Sequence, residues 1–248
     1  NFKVFRAPLL SDIGNNKSLS IQIEKIQIED ILEREPIKLD NKLVAKEIYN
    51  KCILVTGGAG SIGSEIVRQV ANYRPKKLLI LDNAETPLYR IQHEINQKFP
   101  NLDFEAIITD VRNRDAIDEV FKTHKPNVVY HAAAYKHVPL MEKHPSQAVF
   151  ANVIGSKNVA DMAYKYKAEK FVMISTDKAV NPSNVMGASK RIAEIYIQAL
   201  QGKLKTDNKI TTHFVTTRFG NVLGSNGSVV PLFKKQIEEG GPLTITHP

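Results

Sequence analysis

The first chemical signal is a glycine-rich decapeptide, Val55-Thr-Gly-Gly-Ala-Gly-Ser-Ile-Gly-Ser64. It satisfies G-x-G-x-x-G through Gly58, Gly60 and Gly63, and the looser G-x-x-G-x-x-G through Gly57, Gly60 and Gly63. Glycines at this spacing permit a tight turn and close approach of the backbone to a pyrophosphate. That group rests on the N-terminus of the following helix, here Ser61, Ile62 and Gly63. Asp82 comes 19 residues after Gly63, with Asn83 beside it. A carboxylate there accepts hydrogen bonds from adenosine ribose hydroxyls and repels a 2′-phosphate, so NAD is favoured over NADP. Arg90 and the positive net charge leave NADP open. Asp110 and Val111 are expected beside the adenine. The small side chains of Ala132, Ala133 and Ala134 would let a dinucleotide cross the sheet edge. This is the chemistry of a bound nicotinamide dinucleotide.

Such residues work only at the ends of strands that feed helices. Cys52–Thr56, Lys77–Asp82, Phe104–Ile108, Asn127–His131, Lys170–Thr176 and His213–Phe219 are short runs, apolar along most of their length. Strands of this kind belong to a parallel sheet buried on both faces. Helical patterns over 61–73, 85–99, 114–124, 146–166, 189–201 and 228–239 lie between and after them. The alternation predicts an α/β fold with a doubly wound parallel sheet of the Rossmann type. Residues 1–50 differ. Ser20–Ile28 alternates with period two, as a strand with one wet face does, and 28–34 and 41–50 read as short helices. The expected organisation is the tail of an upstream domain and a helical linker over 1–50, then the cofactor domain over 51–248.

A second chemical cluster follows the fifth strand. Ser175-Thr-Asp-Lys178 caps it, where doubly wound folds place their chemistry, and Met186-Gly-Ala-Ser-Lys190 opens the next helix. Residues 186 and 190 are one helical turn apart and share a face. Together with Leu54–Glu65, His131–Glu142, Ser175–Pro182, Met186–Arg191 and Arg218–Val229, these segments resemble the extended short-chain dehydrogenases. Within that superfamily the chain is most similar to the bacterial nucleotide-sugar 4,6-dehydratases of the CapD-like polysaccharide biosynthesis family. The likeness covers about residues 50–248 in the family's order. Residues 28–40 also look like the linker of its large membrane-anchored members, which carry membrane helices and a further domain upstream.

The resemblance implies a reaction on a UDP-N-acetylhexosamine such as UDP-GlcNAc. Tightly bound NAD(P)+ takes hydride from C4, water is lost across C5 and C6, and the hydride returns to C6. The cofactor is thus regenerated each turnover. Thr176 is implied to hydrogen-bond the C4 hydroxyl, Asp177 to be the acid for the leaving C6 hydroxyl, and Lys178 to be the base at C5. Acid and base could be exchanged between the last two. A lysine base must be neutral, against a reference pKa of about 10.4. Met186 departs from the superfamily's Tyr-x-x-x-Lys, since a thioether has no proton to exchange; the large membrane-anchored dehydratases share the substitution. Lys190 is then left to orient the nicotinamide ribose, with Ser175 at the cofactor. Lys136, His137, Asn221, Ser228 and Val229 are the implied contacts to the sugar nucleotide.

Composition bounds these readings. The chain has 248 residues, 42% hydrophobic and 24% charged, with 34 Lys+Arg against 26 Asp+Glu for a net charge of +8. Disorder and low-complexity classes are excluded. A single cysteine excludes a disulfide framework, and seven histidines without ligand spacing give no metal site. The lysines after helix ends suit the negative C-terminal dipole, and no nucleic-acid signature accompanies them. The first residue is Asn1 and the last stretch ends at Pro248. The chain is therefore expected to be an internal piece of a longer protein, with the C-terminal substrate lobe largely absent. The domain is expected in the cytoplasm, its parent in the bacterial inner membrane, and the assembly a homo-oligomer. A nucleotide-sugar 4-epimerase and a non-catalytic NAD(P)-binding scaffold module are the alternatives.

Overall fold

Successive residues of a strand point to opposite faces, and here both faces are covered. The computed structural model describes residues 5–6, 24–25, 41–206, 212–220, 222 and 229–243. β1 (Cys52–Thr56), β2 (Lys77–Asp82), β3 (Phe104–Ile108), β4 (Val128–His131), β5 (Lys170–Thr176) and β6 (His213–Phe219) pair in parallel in the order 3-2-1-4-5-6. In chain order the helices are α1 (Asn41–Ile48), α2 (Ser61–Asn72), α3 (Glu85–Lys98), α4 (Arg114–His124) and α5 (Val138–Lys143). They continue with α6 (Pro145–Ala148), α7 (Ser156–Lys165), α8 (Val185–Thr206) and α9 (Val229–Glu238).

Ile53, Val55, Leu78 and Ile80 face one way and pack with Val67, Val70, Leu88, Ile91 and Ile95 of α2 and α3. Leu54, Leu79, Leu81, Val129, Phe171 and Met173 face the other way, against Ile117 and Phe121 of α4, Val159 and Met162 of α7, and Ala193 and Ile197 of α8. Burial on both sides explains why the central strands read as unbroken apolar runs. The edge strands β3 and β6 are half-buried or exposed along their length, which suits the Glu105, Thr216 and Thr217 they carry.

The doubly wound sheet is as expected, and the strand bounds differ only at β4, which starts at Val128. Three features of the helices differ. The single helix expected over 146–166 is α6, then a π-helical stretch Val149–Gly155, then α7. Gly155 presses on Val111, where an added methyl would stand 2.7 Å from Cγ2. The buried Asn152 in the same stretch bonds outward to the backbone of Tyr135. Helix α8 runs to Thr206 instead of Gln201 and starts at Val185 instead of Ser189, where Asn184 Oδ1 accepts from Gly187 N (2.8 Å) and Glu142 Oε1 from Val185 N (2.7 Å). Two acceptors at the first turn satisfy amides that a helix leaves unpaired. The short helix α5 carries that Glu142 and was not anticipated.

The chain divides into two compact units, Asn1–Leu39 and Asp40–Pro248. In the first, Phe5 and Arg6 pair antiparallel with Lys25 and Glu24; the rest of the strand expected over 20–28 and the helix over 28–34 lie outside the described residues. In the second, α1 buries Ile48 in the core. At the N-terminal ends of the strands, Asn127 Oδ1 accepts from Cys52 N (2.9 Å) and Asn127 Nδ2 donates to Glu169 Oε1 (3.0 Å). Lys51 pairs with Glu169 (2.7 Å) and Lys170 with Glu47 of α1 (2.8 Å).

Candidate active site

The strand order reverses direction between β1 and β4, and open α/β sheets bind ligands outside the carboxyl ends at such a point. A cleft of about 270 Å³ lies there. Gly57, Gly60, Asp82, Asn83, Asp110, Val111 and Ala132–Ala134 all line it, as do Arg112 and Tyr135, which the sequence did not single out. Gly57 has φ +66°, and a methyl group on it would stand 2.5 Å from Ala133 N. On Gly63 a methyl would stand 1.9 Å from Gly57 O, so this glycine serves the contact between α2 and the turn. Ser61 and Ile62 form the first turn of α2 with it. A small-residue wall, a helix N-terminus and a carboxylate at one end fit a dinucleotide.

Asp82 does more than face the cleft. Its Oδ2 accepts from Ala59 N (3.0 Å) and its Oδ1 from Ala84 N (3.0 Å), which keys the end of β2 to the glycine turn. Asp110 is engaged more heavily. It accepts from Arg112 Nε (2.9 Å), Arg112 Nη2 (2.6 Å), Arg112 N (2.8 Å) and Asn83 Nδ2 (3.2 Å). The Arg112 guanidinium chiefly holds its carboxyl below the usual range, against its partial burial. Arg112 in turn donates to Gln147 Oε1 (2.9 Å). The D-x-R spacing was the available signal.

At the end of β5 the second cluster assembles. Thr176 Oγ1 donates to Asp177 Oδ1 (2.9 Å) and accepts from Lys178 N (3.3 Å), while Lys178 Nζ pairs with the same Asp177 oxygen (3.1 Å). Residues 177–179 form one 3₁₀ turn. The Thr176 hydroxyl, then the Lys178 ammonium, hold the Asp177 carboxyl below its ordinary value. A methyl on Gly187 would stand 2.2 Å from Lys178 O, so α8 can approach this turn only through a glycine. Met186, 4% exposed, is packed with Met141 and Ala148. Lys190 is as deeply buried and donates to Ile174 O (2.7 Å). Burial pushes it down to about 8, partly opposed by Glu194. Ser175 is buried, its Oγ without a hydrogen bond of ordinary geometry.

Beneath both clusters runs a buried polar chain. His131 Nδ1 meets Thr56 Oγ1 (2.7 Å) and Nε2 meets Ser156 Oγ (2.9 Å), while Ser156 Oγ donates to Asn152 O (2.6 Å). With its proton so used, Ser156 must accept from His131, which assigns the neutral Nε2–H tautomer. Burial, with Lys190 nearby, pushes His131 down to about 3. Asn152 Nδ2 continues the chain to Ser189 Oγ (2.9 Å), which donates to Met186 O (2.7 Å). The glycine turn and the first turn of α8 are thereby connected. Lys136 and His137 lie exposed between β4 and α5. Val229 opens α9, whereas Asn221 and Ser228 lie outside the described residues. Among the described residues no His/Cys/Asp/Glu group could hold a metal ion.

Residues 53–248 match the family described as polysaccharide biosynthesis protein. The chain is 51% identical over 247 residues to the capsular polysaccharide biosynthesis protein CapD of Staphylococcus aureus, covering 99% of this chain and 40% of that protein. It therefore spans about two fifths of that relative's length. Its structure is similar to Pen from Bacillus thuringiensis (35% identity, TM-score 0.75, 81% of this chain and 61% of that one). It is also similar to the UDP-glucose 4-epimerase of Thermus thermophilus in complex with NAD (26% identity, TM-score 0.64, 78% and 64%).

Proposed function

We propose, for a chain that belongs to the polysaccharide biosynthesis protein family of the extended short-chain dehydrogenases, the reaction of a 4,6-dehydratase on a UDP-N-acetylhexosamine. The observation that carries this reading is the hydrogen-bonded series Thr176 Oγ1, Asp177 Oδ1, Lys178 Nζ at the end of β5. NAD(P), when bound, supplies the acceptor and donor of hydride. Gly57, Gly60 and the first turn of α2 hold its pyrophosphate, and Asp82 holds its ribose. NAD is preferred, because a carboxylate fixed by two backbone amides is a poor neighbour for a 2′-phosphate. Lys190, Ser175 and the backbone at Ile174 steady the nicotinamide end.

Proton movements follow from the hydrogen bonds. Thr176 Oγ1 donates to Asp177, so it can accept the C4 hydroxyl proton while passing its own to Asp177 Oδ1. Asp177, a carboxylate at rest, becomes an acid only after this transfer. The proton then leaves with the C6 hydroxyl as water. In this reading Lys178 Nζ, beside the same carboxyl, is the base that takes the C5 proton and later returns it. Met186 has no part in proton transfer.

Lys136 and His137 contact the sugar nucleotide in this reading, with Asn221, Ser228 and Val229. Residues 1–50 are the lead-in from an upstream domain, and the whole protein is a homo-oligomer anchored in the inner membrane with this domain in the cytoplasm. Among the described residues no helix is long and apolar enough to cross a membrane. The test is incubation with UDP-GlcNAc and NAD+ in deuterated water. Loss of one water from the sugar nucleotide with deuterium at C5 is expected. An isomerised sugar of unchanged composition would instead support a 4-epimerase, the reading favoured by the likeness to the Thermus enzyme. No reaction of the complete-length protein with NAD+ bound would leave only a binding module.

A further inference from the structure

Among the described residues Glu194 is the only buried carboxylate, and its side chain is 0% exposed. It sits on α8, one turn after Lys190. Arg218 Nε donates to its Oε1 (2.9 Å), Arg218 Nη2 to its Oε2 (2.7 Å) and Arg191 Nη1 to Oε2 (3.0 Å). Only the carboxylate is buried, the Arg218 and Arg191 side chains each remaining 39% exposed, so removing an arginine would strand a buried charge. The geometry of this pairing is the feature to explain. Arg218 lies in β6 in register with Ser175, and the next pair is Thr176 with Phe219. The residue after that, Gly220, approaches Asp177: a methyl on it would stand 4.0 Å from Asp177 Oδ2.

Helix α8 is thus fixed twice, to β5 through Lys190 and Ile174 O, and to β6 through Glu194 and Arg218. The two attachments flank the strand ends that carry Thr176 and Gly220. We propose that Glu194 and Arg218 are positioning residues whose forked ion pair sets the gap between the Thr176–Lys178 turn and the Phe219–Gly220 strand end, where the sugar is turned over. This rests on the dehydratase reading above. Bidentate geometry is what a guanidinium offers and an ammonium lacks. Burial alone would raise the Glu194 carboxyl, but Arg218, then Ser175 and Arg191, hold it at about 2. The carboxyl is thereby kept ionised near neutral pH.

The experiment compares wild type with Arg218→Lys, which keeps the charge but not the fork, and with Glu194→Gln. Circular dichroism and NAD+ titration identify folded, cofactor-competent protein. In Arg218→Lys, kcat for sugar turnover should fall about 100-fold, with KM and NAD+ affinity unchanged, as misplacement of a reacting group by about 1 Å does. Hydrogen exchange at Asp177–Lys178 and Phe219–Gly220 should quicken about tenfold while β1 stays as in wild type. Unaltered kcat and local exchange in a folded Arg218→Lys would overturn the proposal. So would a loss spread evenly over NAD+ affinity, KM and exchange throughout the sheet. If the complete-length wild type turns over no nucleotide sugar, the dehydratase reading fails by itself. Local exchange then decides the positioning role: quickening confined to these two strand ends supports it, and its absence refutes it.

Discussion

Gly63→Ala and Gly202→Ala are the same chemical change on two helices and should have opposite signs. At Gly63 the new methyl would stand 1.9 Å from Gly57 O, 2.7 Å from Gly57 C and 3.0 Å from Gly58 Cα, all backbone. Nothing there can rotate away, so α2 must retreat by about 1.5 Å to restore ordinary contact, at a cost of about 1–3 kcal/mol typical of overpacking. The same retreat draws the helix's first amides away from the pyrophosphate site. Hydrogen bonds to a charged group contribute about 1.5–3 kcal/mol each, so losing one weakens NAD+ binding about 10–100-fold. At Gly202, inside α8, nothing lies within 4 Å of the new methyl. Alanine there should add about 0.5–1 kcal/mol through helix propensity alone. The assays are urea unfolding, with the midpoint moving at constant slope, and calorimetric titration with NAD+. A Gly63→Ala protein that binds NAD+ as tightly as wild type would refute the assignment of this turn to the pyrophosphate. Equal effects at the two glycines would refute the steric argument itself.

His131 is neutral when folded, pushed down to about 3 from its ordinary 6.5. Below 6.5 the unfolded chain binds a proton that the folded one does not. Stability should therefore be intact above pH 6.5 and fall by up to about 1.4 kcal/mol per unit as pH drops toward 3; His131→Asn should flatten the slope between pH 6.5 and 5, and an unchanged slope would exclude His131 as its source. Asp177→Asn should abolish formation of the 4-keto sugar while NAD+ stays bound, and full activity would remove Asp177 from the proton path. Thr176→Val, which keeps shape but loses the hydroxyl, should lower kcat about 100-fold with NAD+ affinity intact. In Asp82→Asn one of the two amides, at Ala59 or Ala84, meets an NH₂ in place of an acceptor, so NAD+ affinity should drop at least about tenfold; titration reads this directly.

What was legible in the sequence was whatever local pattern determines. Leu54 and Ile53 face opposite layers, yet both had to be apolar, so the central strands stood out without any knowledge of their neighbours. The glycine turn was legible because few backbones other than a phosphate-binding turn need Gly57, Gly60 and Gly63 together. Interactions between distant residues were not. Glu194 reads as one more surface carboxylate on an amphipathic helix until Arg218, 24 residues on, is folded against it. The π-helical turn depends on Asn152 reaching Tyr135 and on Gly155 pressing against Val111, neither of which has a periodic signature. Helix α5 is six residues long, too short for periodicity to reveal, and the early start of α8 depends on the Glu142 it supplies. Asp110 was found, but its partner Arg112 is what decides how much of its carboxylate is left for a ligand.

The polar lattice at the opposite edge of the sheet has a mechanical consequence. Asn127, Glu169, Lys51, Lys170 and Glu47 fasten α1 to the starts of β1 and β5, while all the candidate chemistry lies at the strands' far ends. A pull on α1 is met there, by ion pairs and the buried Ile48. The load has to travel the length of the strands before it can reach the cleft. The fold thus has a fastened end and a working end, separated by the most deeply buried part of the molecule.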